Sequence, residues 1–181
     1  MRALTISAHG GLERLELRED LPIPTPAPGE VRVRVLAAAL NHLDLFVLKG
    51  LPGVTITPGW VMGADAVGIV DGTDDLVVVN PGLSDGTCEY CRRGEQSLCV
   101  NFRLLGEHAP GTIAEYMVVP ERNVARIPRD TPIEQAAAFT LTTLTAWRMR
   151  VTRAQIRPDE QVRIQGSGGG VARSALQMAK Q

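Results

Sequence analysis

The chain has 181 residues, 44% of them hydrophobic and 22% charged, with a formal net charge of −1. This suffices for one real core and part of a second, and a near-neutral balance without a basic stripe argues against nucleic acid or an anionic membrane surface as a partner. The N-terminal MRALTISAHG lacks a signal-peptide core, and no apolar run approaches the roughly 20 residues of a membrane helix, so the expectation is a cytoplasmic protein whose thiols stay reduced.

In chain order, residues 1–130 read as mostly β. MRALTIS and the alternating segment Leu12 to Leu17 predict two strands around a His9-Gly10-Gly11 turn. PIPTPAPGE is a connector, because proline fixes φ and donates no backbone hydrogen bond. Strict alternation from Glu30 to Val35 predicts a strand with one buried and one wet face. NHLDLFVLKG reads as a short helical turn ending at Gly50. VMGADAVGIV and DLVVV read as apolar strands joined by the tight turn DGTD, and IAEYMVVP as a further strand. From Thr131 the composition changes. Thr131-Pro132-Ile133-Glu134 has a capping-box pattern with proline at the first helical position, and AAAFTLTTLTAWRMRV continues as helix. The arginines from Arg148 to Arg157 fit a solvated helix face. Gln161 to Gln165 (QVRIQ) predicts a strand, GSGGG a loop, and VARSALQMAKQ an amphipathic helix.

Two motifs carry chemistry. All three cysteines fall in SDGTCEYCRRGEQSLC, spaced C-x2-C-x7-C. In a reducing compartment such a cluster points to metal more than to a disulfide, although three thiolates leave a tetrahedral shell one ligand short. The second motif is the glycine loop. Gly166, Gly168, Gly169 and Gly170 lie between a predicted strand and a predicted helix, where residues without Cβ let a pyrophosphate approach backbone amides and a helix N-terminus. Val171 stands where a strict G-x-G-x-x-G has its last glycine, so the pattern is a loose one, and a flexible turn without a ligand is the alternative.

NHLDLFVLKG, PGWVMGADAVGIV, VVVNPGLSDGTCEYCRRGEQSLC, GEHAPGTIAEYMVVPERNVARIP, AAAFTLTTLTAWRM and the glycine loop together resemble the N-terminal half of a medium-chain dehydrogenase/reductase. The branch is zinc-type alcohol dehydrogenase-like and quinone oxidoreductase-like, and the likeness spans nearly the whole chain. It implies a mainly β GroES-like barrel as substrate domain over residues 1–130, with a zinc-lobe loop at 84–104. Residues 131–181 would then hold connecting helices and the first strand–Gly loop–helix unit of an incomplete Rossmann domain. It further implies NAD(P)H-dependent hydride transfer to or from a small-molecule carbonyl, enone or quinone.

The chain departs from that family in places that matter. The positions matching the catalytic-zinc ligands carry Asn41, Ala64 with Asp65, and Leu141, and neither Asn nor Leu replaces a thiolate. The expectation is chemistry without a catalytic zinc, with hydrogen bonds polarising the acceptor. Asn41 is then the first candidate beside substrate and nicotinamide, with Asp44 and Thr142 near the same cleft; the alternative is that Asn41 and Asp44 only cap the short helix. Laid on the family's four-cysteine zinc lobe, the ligand positions are Asp85, Cys88, Cys91 and Cys99, a carboxylate replacing the first thiolate of one structural zinc. Glu89, Glu95 or His108 are alternative fourth ligands, and a reduced loop without metal is the remaining one. The acidic residue that reads the adenosine ribose in such proteins would fall beyond Gln181, so the 181 residues alone are expected to turn over no NAD(P)H. The expected partners besides substrate are a second copy of the chain or a missing C-terminal half. A competing reading is a non-catalytic, zinc-stabilised β-domain that serves as an interaction module. A nucleic-acid zinc ribbon is excluded, because there is no second knuckle and no basic surface.

Overall fold

The computed structural model describes residues 1–180. β1 (Ala3–Ile6) pairs antiparallel with β2 (Leu15–Arg18) on one side and with β4 (Trp60–Val61) on the other. The second predicted strand therefore starts late. Leu12–Arg14 is a 3₁₀ turn, and only from Leu15 does the chain enter the ladder. The turn before it is anchored to the helix α1 (His42–Lys49): the Gly10 amide donates to the Leu48 carbonyl at 2.7 Å, and His9 Nδ1 lies 2.8 Å from the Val47 carbonyl. Ile6, Val47, Leu48 and Met62 form the small core beneath.

The main sheet is five-stranded and antiparallel. Its order is β10 (Val124–Arg126), β6 (Leu76–Val79), β5 (Asp65–Val70), β3 (Glu30–Ala39) and β9 (Tyr116–Pro120). The predicted strand over Glu30–Val35 forms with its valines on one face, and it runs on to Ala39. Val31, Val33 and Val35 face the central core, while outward Arg32 binds Asp71 and lies over the Tyr116 ring. The register shifts between Val35 and Ala37, so Leu36 is an extra residue and the face inverts. Ala37 and Ala39 then pack on a second core that covers the other side of the sheet. That inversion sets the side from which the chain leaves β3 towards Asn41.

β5 and β6 are buried on both faces, which explains their unbroken apolar sequence. Val77 and Val79 point into the central core, and Leu76 and Val78 into the second core under α3 (Ile133–Ala137). Each fully buried valine contributes roughly 1.5–3 kcal/mol. VMGADAVGIV is not one strand, because Gly63 adopts φ +96° and breaks it between β4 and β5. DGTD forms the expected hairpin, closed by the Val70 amide on the Asp75 carbonyl at 3.1 Å. The last pair, β7 (Gly82–Leu83) and β8 (Arg103–Leu104), holds the base of the cysteine loop, and α2 (Glu89–Arg92) lies within that loop.

The C-terminal region departs from expectation in two ways. The capping box at Thr131 does not form: Pro132 occupies the N-cap position, no side chain caps it, and the Thr131 amide turns back to the Pro128 carbonyl. The long helix is broken into α3, α4 (Thr140–Trp147) and a π-helical turn at Arg148–Arg153. QVRIQ is the second correction. Residues 161–165 join no ladder, because among the described residues no strand lies beside them, and an isolated extended segment has no partner for its N–H and C=O groups. α5 (Gly170–Ala179) forms as expected and packs on α4, with Thr142 Oγ1 and Thr143 Oγ1 each 3.4 Å from Ser174 Oγ.

Candidate functional site

A cleft of about 1120 Å³ opens between the end of β3, the start of α1, α4 and the glycine loop. Asn41, Asp65, Leu141 and Thr142 line it, as do Gly166, Gly169 and Gly170. Asn41 enters because α1 begins there. Its backbone amide donates to Asp44 Oδ2 at 2.7 Å, and the Asp44 amide returns to the Asn41 carbonyl at 3.0 Å. Asp44 is thus turned inward, buried at 7% exposure, and it braces the helix start from behind rather than facing the cleft. Burial pushes its carboxyl up, the neighbouring Asp65 adds to that, and amide donation from Asn41 and Gly63 opposes it.

The Asn41 side chain does not stop at the helix start. Its Nδ2 donates to Asp65 Oδ2 at 2.9 Å. Asp65, at 1% exposure, also accepts Thr140 Oγ1 at 2.5 Å and the Leu141 amide at 2.7 Å on Oδ1, and its carbonyl accepts Thr112 Oγ1 at 2.9 Å. Asp65 is the residue that sequence reasoning passed over. The signal available was its place in MGADAVG, opposite the acidic member of the zinc family's His-Glu pair. Nothing local indicates that its partners lie 24, 75 and 76 positions away.

A catalytic zinc does not fit this arrangement. Leu141 and Ala64 have no ligand atom, and the Asn41 and Asp65 oxygens that remain fall short of the three protein ligands that a catalytic zinc takes. On the nucleotide side, Gly170 packs so tightly that a Cβ there would meet Thr142 Cγ2 at 2.7 Å. Gly166 takes φ +69°, and a Cβ placed on Gly166 or on Gly168 would meet no protein atom within 4 Å, so open space adjoins the loop. The backbone amides that open α5 beside this loop are the groups that fit a phosphate-bearing cofactor.

The second group of chemistry-bearing side chains lies in the cysteine loop. One ligand atom from each of Asp85, Cys88, Cys91 and Cys99 falls within 4.8 Å of the others. Cys88 Sγ and Cys91 Sγ are 3.5 Å apart. Backbone amides turn towards the sulfurs: those of Asp85 and Asn101 donate to Cys99 Sγ, each at 3.4 Å. The amides around Cys88, led by that of Cys91, hold its thiol below the ordinary value, whereas burial, with Cys88 beside it, pushes Cys91 up to about 11. Asp85 is held well below the usual carboxylate range, first by the Cys88 and then by the Thr87 amide. Three thiols and a carboxylate at this separation fit a closed tetrahedral zinc shell. Glu89, Glu95 and His108 are not members of the group; Glu95 instead binds Arg148 at 2.7 Å and ties the loop to the end of α4. Among the described residues no helix is long and apolar enough to cross a membrane.

Residues 27–129 match the family model described as the alcohol dehydrogenase GroES-like domain. The NAD-dependent alcohol dehydrogenase of Sulfurisphaera tokodaii is 33% identical over 99% of this chain and 55% of its own length. The acryloyl-coenzyme A reductase of Metallosphaera sedula is 32% identical over 99% of this chain and 55% of its own. A crystal structure of an NAD-dependent alcohol dehydrogenase superposes with a TM-score of 0.93 at 48% identity, covering 99% of this chain and 55% of the other. The chain thus spans about 55% of the length of the relatives it matches.

Proposed function

The chain belongs to the alcohol dehydrogenase GroES-like domain family, in the zinc-type alcohol dehydrogenase-like branch of the medium-chain dehydrogenases/reductases, and on that premise we propose that it carries the substrate side of an NAD(P)H-dependent oxidoreductase acting on a carbonyl, enone or quinone without a catalytic zinc. The observation that carries this reading is the Asn41–Asp65 hydrogen bond at the cleft wall, where a metal ligand would otherwise be needed. An asparagine amide has two N–H donors. Asp65 takes one and fixes the amide's orientation, which leaves the other for the acceptor oxygen. Such a preorganised donor stabilises charge that develops on that oxygen. Asp44 keeps the Asn41 backbone in place, and Thr142 spaces α4 from the glycine loop. The glycines at 166, 168, 169 and 170 would hold the pyrophosphate of a nicotinamide cofactor, which supplies or takes up the hydride when bound.

The same reading assigns one structural zinc to Asp85, Cys88, Cys91 and Cys99, none of which lines the cleft. When bound, it crosslinks the lobe. Relatives named as alcohol dehydrogenases and as acryloyl-coenzyme A reductases both support hydride chemistry, and the second kind supports an enone-type acceptor.

Exposed Phe139, Trp147 and Met149 favour a second reading, a zinc-stabilised β-domain that docks on a partner. One experiment separates the two. Joined in frame to the C-terminal half of an NAD-dependent alcohol dehydrogenase relative, residues 1–181 should support enone-dependent NAD(P)H oxidation that is lost in Asn41→Ala. A chimaera that folds, binds NAD(P)H and reduces nothing would favour the module. The 181 residues alone should give no turnover, and measurable reduction by them overturns that part of the proposal.

A further inference from the structure

We propose that Asp85 divides its carboxylate between two tasks: Oδ1 shapes the cysteine loop, and Oδ2 alone completes the metal shell. The inference rests on reading the lobe as a zinc site. A carboxylate oxygen offers about two lone-pair sites. Oδ1 already accepts two amides, from Thr87 at 2.8 Å and from Cys88 at 2.9 Å, and is therefore filled. Oδ2 accepts one amide, Asn101 Nδ2 at 3.0 Å, which leaves its second site to a cation. It is the oxygen with capacity left for a cation.

The two Oδ1 bonds also help to set the ligand atoms within 4.8 Å of one another. The bond to the Cys88 amide fixes the residue that opens α2, and with it the turn that brings Cys91 back to 3.5 Å from Cys88. The Asp85 backbone amide donates to Cys99 Sγ at the same time. One residue therefore touches the placement of all three thiols. A cysteine at 85 would supply a ligand and keep the amide bond to Cys99, but it has no second acceptor atom to hold the Thr87 and Cys88 amides. The carboxylate is thus more than a weaker thiolate, since it also holds the loop's own amides.

The two tasks separate in two variants. Asp85→Asn keeps an amide oxygen for Thr87 and Cys88 but loses the anionic second oxygen. Asp85→Cys restores an anionic ligand and loses the loop acceptor. The full chain, with zinc as the probe, is assayed by zinc count in native mass spectrometry, by chelator competition, and by amide exchange at Thr87 and Cys88 in the metal-free form. The wild type should hold one zinc. Asp85→Asn should keep its exchange protection and bind zinc roughly 10- to 100-fold more weakly, or worse. Asp85→Cys should hold zinc but lose protection at those two amides when metal-free. Unchanged zinc affinity in Asp85→Asn overturns the role of Oδ2, and retained protection in Asp85→Cys overturns that of Oδ1. A wild type that holds no zinc sinks the zinc reading itself, and the exchange comparison of the two variants still decides the loop-shaping half.

Discussion

The Asn41 amide donates to Asp65 Oδ2 at 2.9 Å, while Thr140 Oγ1 and the Leu141 amide fill Oδ1 of the same carboxylate at 2.5 and 2.7 Å. A single buried side chain therefore joins the start of α1 to the start of α4 across the head of β5. Both cleft walls hang from it. Asp65→Ala would leave three donors without their acceptor, the buried Thr140 hydroxyl among them, and should destabilise the chain by about 3 kcal/mol or more. Asp65→Asn keeps one acceptor oxygen but sets a second amide against that of Asn41, and should cost less, about 1–3 kcal/mol. Urea unfolding of the three proteins checks the order; equal stability of Asp65→Ala and wild type sinks the clamp.

The bulge at Leu36 depends on a glycine in the neighbouring strand. A Cβ on Gly68 would meet Val33 Cγ1 at 2.6 Å, with the Arg34 carbonyl oxygen closer still. Gly68 pairs with Val35, the last residue before the register shift. Since the obstacle is backbone, it cannot swing away. Gly68→Ala should therefore lower stability by about 1–3 kcal/mol, at the upper end of ordinary overpacking. Thermal melting reads it directly, and an unshifted midpoint would show that the two strands part more easily than their packing implies.

Period and local chemistry made much of this legible beforehand. Valine alternating with arginine gives β3, the apolar runs give β5 and β6, and Gly50 with φ +97° ends α1 where the sequence places its stop. The cysteine spacing leads to the lobe. What stayed hidden depends on residues far apart. Thr140 and Leu141 break the predicted long helix because Asp65, 75 and 76 positions earlier, takes their hydroxyl and amide. QVRIQ has the composition of a strand, yet strand structure belongs to a pair, and among the described residues no neighbour supplies the ladder. At Thr131 the capping pattern lost to the turn that returns its amide to Pro128.

The cysteine lobe and the cleft share a strut. Glu95 lies between Cys91 and Cys99 and meets Arg148 at 2.7 Å, where α4 passes into its π-helical turn. Arg148 is the chief cause that lowers the Glu95 carboxyl. If zinc orders the lobe, its removal by a chelator should speed amide exchange over residues 140–153 as well as in the loop. Arg148→Met should uncouple the two, so that chelation then affects the loop alone. Exchange over 140–153 that ignores the chelator in the wild type would show that the strut transmits nothing.

Asp44 gives a pH dependence of definite sign. Burial chiefly, and then the charge of Asp65, raises its carboxyl above the ordinary 3.8. The folded chain therefore holds that proton more tightly than the unfolded one. The stability that follows is fully present below pH 3.8 and is lost as pH rises through the raised folded value. Asp85, Glu95 and Glu115 are shifted downward, so their contributions are lost as pH falls instead. They are common to wild type and Asp44→Asn and cancel in the difference. Asparagine keeps an acceptor for the Asn41 amide and carries no charge to bury. Subtracting the unfolding free energy of Asp44→Asn from that of the wild type should give a quantity that declines from pH 3.8 upward and then levels off. A difference that rises with pH would mean that the amides of Asn41 and Gly63 outweigh burial, and that Asp44 is held as an ion.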